Sequence, residues 1–181
     1  MTDTFNALHD LQIMARYNRW ANMRLYASVE ALPDDDYRKD SGVFFGSIHA
    51  TLNHLLVVDR LWTSRIVGEY SGIQSLDQIL HDDFADLRQA REAMDGHIQR
   101  LVDRLAVGLD GGLEREVRYR SVSGGPKHTS PARHILLTLF NHQTHHRGQV
   151  HGLLTQAGVT NPPELDVIFM IRETAEASEK T

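Results

Sequence analysis

Histidine is the residue type that this sequence concentrates. Eleven are present, and the stretch from His134 to His151 also holds His142, His145 and His146. Around them Ile135, Leu139, Val150 and Leu153 recur at helical three-to-four spacing, which sets His142 and His146 one turn apart on the inward stripe of a helix. Two imidazoles so placed reach one ion, each through a bond of ~2.0–2.1 Å if the ion is zinc. His145 turns about 100° away from that line, and His134 and His151 are also off it. Burying two neutral rings without partners is costly, because each has a donor and an acceptor to satisfy. A shared ion relieves part of that cost and needs a further ligand; hydrogen-bonded core histidines without metal are the competing reading.

A second helix offers the ligand. Ser47, Thr51, His54, Val58, Leu61 and Arg65 form a heptad-like line flanked by Ile48, Leu52, Leu55 and Trp62, so His54 borders an apolar, buried face. His49 is the rival, displaced by five residues and expected to look elsewhere. The predicted metal ligands are therefore His54, His142 and His146.

Long helices must position these groups. Phe5, Leu8, Leu11, Ile13, Met14, Tyr17, Trp20, Ala21, Leu25 and Val29 predict a first helix over residues 4–32, closed by Pro33 and the acidic run Asp34-Asp35-Asp36. The second runs from near Ser47 to Val67 with Gly68 as its stop. A third is expected over 76–107, capped by Ser75 or Asp77, with Leu80, Phe84, Leu87, Met94, Ile98, Leu101 and Leu105 inward; Asp83, Asp86, Arg88, Arg91 and Glu92 are assigned to its solvated face. Residues 113–130 alternate and carry Gly124-Gly125-Pro126, which predicts a short hairpin or extended loop. Ser130 and Pro131 are expected to start a fourth helix that ends near Ala157, and a short last helix covers 164–175. The expected fold is all-α: an antiparallel four-helix bundle in one domain over residues 1–181.

Composition narrows the function. The chain has no cysteine, which removes disulfides, thiolate metal ligands and a cysteine nucleophile. A formal net charge of −5 argues against broad nucleic-acid binding. No apolar run approaches the ~18 residues of a membrane span, and residues 1–12 lack the pattern of a secretory signal, so a cytoplasmic location is expected. No Glu-x-x-His or HExxH occurs, which disfavours di-iron and zincin-type sites.

Four segments together resemble a known family. Asn141-His142-Gln143-Thr144-His145-His146-Arg147-Gly148-Gln149 is similar to the NHxxHHRGQ signature of the DinB-like metal-binding proteins. Tyr17-Asn18-Arg19-Trp20-Ala21-Asn22, Leu52-Asn53-His54-Leu55-Leu56 with Trp62, and Leu165-Asp166-Val167-Ile168 with Arg172-Glu173 resemble that family's other landmarks in the same order. The resemblance implies a four-helix bundle holding zinc or nickel with His54, His142 and His146, assembled as a homodimer. It also implies kinship with isomerases and transferases that use a low-molecular-weight thiol.

Three neutral nitrogen ligands leave an ion its full charge and an open position, and a bound thiol or water becomes more acidic. The expected activity is a metal-dependent activation of a thiol cosubstrate for transfer to, or isomerisation of, a small molecule. The alternatives are a metal-dependent hydrolase and a non-catalytic metal-binding stress-response module. Gln149 is expected to line the cavity or orient a ligand, and Arg147 to sit at the surface or a helix end. Asn18, Trp20 and Asn22 are expected to pack in the core with hydrogen bonds to a neighbouring helix. Gly148 and Gly152 either admit a close helix or are simply tolerated.

Overall fold

The computed structural model describes the backbone of residues 2–179 and the side chains of residues 8–177, so Phe5 of the first apolar stripe lies outside the described side chains. Its helices are α1 (Thr2–Glu30), a short α2 (Asp34–Arg38), α3 (Ile48–Val67), α4 (Phe84–Ala106), α5 (Ala132–Gln156) and α6 (Val167–Glu179). Strands β1 (Glu116–Ser121) and β2 (Gly124–Pro131) pair antiparallel before α5. The hairpin is the one predicted, and the four long helices form the expected all-α bundle, with α3 and α4 parallel rather than antiparallel.

Residue pairs give the sense of each helix. Gln12 meets Asp103, Asn22 meets Asp95 and Glu30 meets Arg88, so α1 and α4 are antiparallel. His54 faces His142 and Asp59 faces Gln143 across the pair of α3 and α5, and Ile66 packs with Ile135, Leu136 and Leu139, which makes these two antiparallel as well. Asp59 meets Arg91 and Thr63 meets Met94, so α3 and α4 run in the same sense. Two consecutive helices can do that only if the link between them travels back along the bundle. A 20-residue helix is about 30 Å long, a distance that the residues 68–83 cover when extended.

That crossover explains a departure from the predicted boundaries. The third helix begins at Phe84 rather than near Leu76, and its N-cap is Asp83, whose side chain accepts from the Asp86 amide; neither Ser75 nor Asp77 caps it. Residues 76–83 are held along α3 instead. Asn53 Oδ1 accepts from the Leu80 and His81 amides at 2.9 and 3.0 Å, while its Nδ2 donates to the His81 carbonyl. Asn53 is fully buried and fastens the segment at its middle.

Other boundaries follow local chemistry. Ser47 caps α3 by accepting from the Ala50 amide, and Gly68 ends it at φ 85°, a left-handed value that glycine adopts without strain. Pro131, not Ser130, is the N-cap of α5, with no side-chain cap; Ser130 Oγ lies against Tyr119 Oη instead. The last helix starts at Val167, three residues later than expected, and docks on α1: Trp20 Nε1 donates to Glu173, and Tyr17 Oη donates to the Leu165 carbonyl.

The core divides into two apolar ends. One gathers Leu11, Ile66, Ile98, Leu105, Leu136 and Phe140; the other gathers Leu25, Leu52, Leu56, Leu87, Val150 and Leu154. Between them lies a charged layer. Arg91 is 1% exposed and makes ion pairs with Asp59 at 2.7 Å and Asp95 at 2.9 Å. Asn18 and Asn22 donate to Asp95, as the first-helix asparagines were expected to do across a helix boundary, and Gln143 donates to Asp59. Arg91 therefore belongs to the interior and not to the solvated face. Arg147, 2% exposed, likewise lies inside, donating to Asn18, Asn22 and Gln143. Two cations and two carboxylates balance here, which is what lets so much charge be buried.

Candidate metal centre

His54 from α3 and His142 and His146 from α5 are brought together as predicted. One ligand atom from each lies within 4.8 Å of the others, a group that could hold a metal ion. Ring centres are 4.9 Å apart for His54 and His142, 4.7 Å for His54 and His146, and 4.4 Å for His142 and His146. Nitrogen ligands at ~2.0–2.1 Å in a tetrahedral site lie about 3.3 Å from each other. His54 Nε2 and His142 Nε2 are 3.0 Å apart, close to that spacing.

The outer nitrogens decide which atoms face inward. His54 Nδ1 donates to the Leu76 carbonyl at 2.7 Å, and a carbonyl can only accept, so the Nε2 lone pair of the neutral ring is free. His146 Nδ1 pairs with Gln149 Oε1 at 2.7 Å, which frees its Nε2 in the same way. The predicted orienting role of Gln149 is thus directed at a histidine. Phe45 stacks on His54 with ring centres 3.8 Å apart and stands edge-on to His146, closing one side.

Electrostatics keep the rings neutral. Burial lowers His54 to about 4, partly opposed by its bond to Leu76. Burial and the neighbouring histidines lower His142 to about 3, and burial also lowers His146. Two Nε2 lone pairs, those of His54 and His146, converge here; His142 Nδ1 has no partner, so His142 Nε2 either donates to His54 or adds a third lone pair for a cation. Low proton affinity makes a proton a poor candidate, whereas a divalent cation suits a neutral imidazole set. The residues therefore fit such an ion.

The rest of the histidine run separates as anticipated. His145 is exposed and takes its hydrogen bond from Gln149 Nε2, off the line of the other two. His49 faces the His81 carbonyl at 3.2 Å, on the other side of α3. Two groups beside the site, the Leu76 carbonyl and Phe45, come from connecting segments and had no periodic signal.

A model of the DinB family matches residues 1–179. The chain belongs to the DinB family. It is also 28% identical over 152 residues to Protein DinB of Bacillus subtilis (strain 168), an alignment covering 81% of this chain and 86% of that protein. No solved structure is a significant match.

Several family-signature residues serve the scaffold instead of the ion. Arg147 follows His146 directly yet points into the charged layer, and its guanidinium lies 5.1 Å from the Tyr17 ring centre. Gly148 and Gly152 have open space where a side chain would begin, so neither is required by a closely packed helix. Arg91 was recoverable from spacing: Leu87, Arg91, Asp95, Ile98, Leu101 and Leu105 share one stripe, and charge type alone masked it.

A cleft of about 470 Å³ opens beside His54 and His142 between α3, α5 and the hairpin, with Val58, Leu61, Trp62 and Tyr119 in its walls. A second, of about 570 Å³, lies under Phe44 and Phe45; the two share Leu76, Ser121 and Val122. Neither is lined by glutamate, and Asp77 borders only the second. No helix among the described residues is long and apolar enough to cross a membrane.

Proposed function

We propose that this protein is a metal-dependent enzyme that activates a low-molecular-weight thiol for transfer to, or isomerisation of, a small-molecule acceptor. The observation that carries the reading is the triad of neutral imidazoles, His54, His142 and His146, two of which, His54 and His142, line a cleft. A divalent ion, zinc or nickel, supplies there a Lewis acid that raises the acidity of a thiol. The chain contains no sulfur nucleophile of its own, so the thiol is a cosubstrate.

The protein's residues set the conditions. Leu76 and Gln149 hold the outer nitrogens of His54 and His146 and so fix the ring orientations. Phe45 covers one face of His54 against water. A second cleft adjoins the first at Leu76, Ser121 and Val122 and offers a second reactant room next to the one that His54 and His142 line, which favours a bimolecular transfer. In that transfer the thiol gives up its proton, the sulfur forms a bond to the acceptor carbon, and the leaving group departs with the bonding pair. Hydrolysis is less favoured because no carboxylate lines the cleft that His54 and His142 border; Asp77, which acts electrostatically on His54, borders only the adjoining cleft.

Steady-state turnover of electrophilic acceptors by metal-loaded protein, with and without glutathione, bacillithiol or mycothiol, tests the reading. Thiol-dependent turnover abolished by His142→Ala supports it. Turnover that proceeds equally without thiol would assign a hydrolase, and none with any thiol would leave a binding module. A homodimer acting in the cytoplasm belongs to the same proposal, and sedimentation analysis tests the dimer.

A further inference from the structure

The cleft beside the triad has a charged far end. His54, Val58, Leu61, Trp62 and Arg65 follow one another along the same side of α3 and all line it. Apolar and aromatic walls lie between the histidine end and Arg65, and no aspartate or glutamate contributes to the lining. Arg65 is half-buried, with its guanidinium carbon 4.5 Å from the Trp62 ring centre and 5.1 Å from that of Tyr119. One of its nitrogens donates to the Arg120 carbonyl on the hairpin. No carboxylate pairs with it among the described residues, although Glu69 borders the adjoining groove. Burial pulls its pKa down, opposed by the Tyr119 phenol and by no carboxylate. An aromatic-flanked guanidinium keeps its edge free for two parallel hydrogen bonds, the geometry that a carboxylate matches.

We propose that the acceptor molecule is an amphipathic carboxylate whose acid group pairs with Arg65 while its apolar body lies along Val58, Leu61 and Trp62 toward His54 and His142. Resting on the thiol-transfer reading for its reactive end, the assignment stands on the cleft alone for binding. His54 and Arg65 are eleven residues apart, roughly 16 Å along the helix. Both side chains lean toward the N-terminus, the longer arginine by more, so the span from ring to guanidinium is somewhat shorter, on the order of 10–15 Å. This length suits an aryl- or alkyl-substituted acid, and a volume of about 470 Å³ accommodates one.

Isothermal titration of 4-phenylbutanoate and of its neutral amide into metal-loaded and metal-stripped protein tests the proposal without relying on turnover. The acid is expected to bind both forms, at least tenfold more tightly than the amide. Arg65→Gln should remove that tenfold preference and leave amide binding unchanged, and Arg65→Lys should restore part of it. Unchanged thermal unfolding of both variants establishes that the fold is intact. Equal binding of acid and amide, or no binding of either, overturns the assignment. So does acid binding that needs the metal and survives Arg65→Gln, because the carboxylate would then be held by the ion. Acid binding to metal-stripped protein together with absence of thiol chemistry would overturn the catalytic reading and leave this site standing.

Discussion

Replacing Arg91 with methionine tests whether the charged layer is as dry as its burial implies. Arg91 is 1% exposed and touches two carboxylates, Asp59 and Asp95, that are 0% and 1% exposed. Removing one partner of a buried pair leaves uncompensated charge, at a cost of about 3–5 kcal/mol. That is a large share of the roughly 5–15 kcal/mol that holds a typical domain together. Burial already pushes the Asp59 carboxyl up to about 6, against the pull of Arg91, and removing the guanidinium raises it further. Below about 6 the folded Asp59 holds its proton in both proteins, so the extra penalty of the variant grows as pH rises from about 6 toward the variant's higher folded value. Urea unfolding of Arg91→Met and wild type at pH 5 and pH 8 reads both effects. With a slope near 2 kcal/mol/M, the midpoint falls by roughly 2 M at pH 8 and by less at pH 5. A loss below about 1 kcal/mol at pH 8, or one that fails to shrink toward pH 5, would refute the reasoning.

Three further outcomes follow from the triad. Metal-stripped protein should lose stability as pH falls from 6.5 toward about 4, since the unfolded chain takes up a proton on His54 that the folded chain refuses. The loss is roughly 3 kcal/mol for that ring. Because Asp59 gains a proton in the folded state over much of the same range, it is read as the difference between metal-stripped wild type and His54→Phe in urea titrations. A difference that does not change with pH would contradict the ring's burial. Gln149→Ala should weaken metal affinity by about 10–100-fold while leaving one ion per chain at saturation, because it frees the His146 ring to rotate; competition with a chromophoric chelator measures this. His145→Ala should leave both affinity and stoichiometry near wild type, and a loss of bound metal by elemental analysis would place the site on another face of α5.

Much of this was legible because helical periodicity does not depend on what a residue does. The line through Ile135, Leu139, His142, His146 and Val150 places the two α5 histidines, and the heptad-like line through Thr51, His54 and Val58 places the third. Turn chemistry marked Gly68 and the hairpin for the same reason. What escaped depends on distant partners. The crossover 68–83 has helix-compatible residues near its end, yet Asn53 and the length of the bundle hold it extended. Arg91 and Arg147 read as surface groups because an isolated guanidinium belongs in water; four polar partners from four helices reverse that preference. The expected Ser130 cap failed because Pro131 took the N-cap itself. Backbone groups such as the Leu76 carbonyl carry no side-chain signature at all.

Metal content of single-alanine variants at His54, His142 and His146 tests the centre most directly. Elemental analysis of purified, zinc-saturated protein should find one ion per chain in the wild type and most of it missing from each variant. Undiminished zinc in all three, with each variant folded, would mean that the rings meet without sharing an ion.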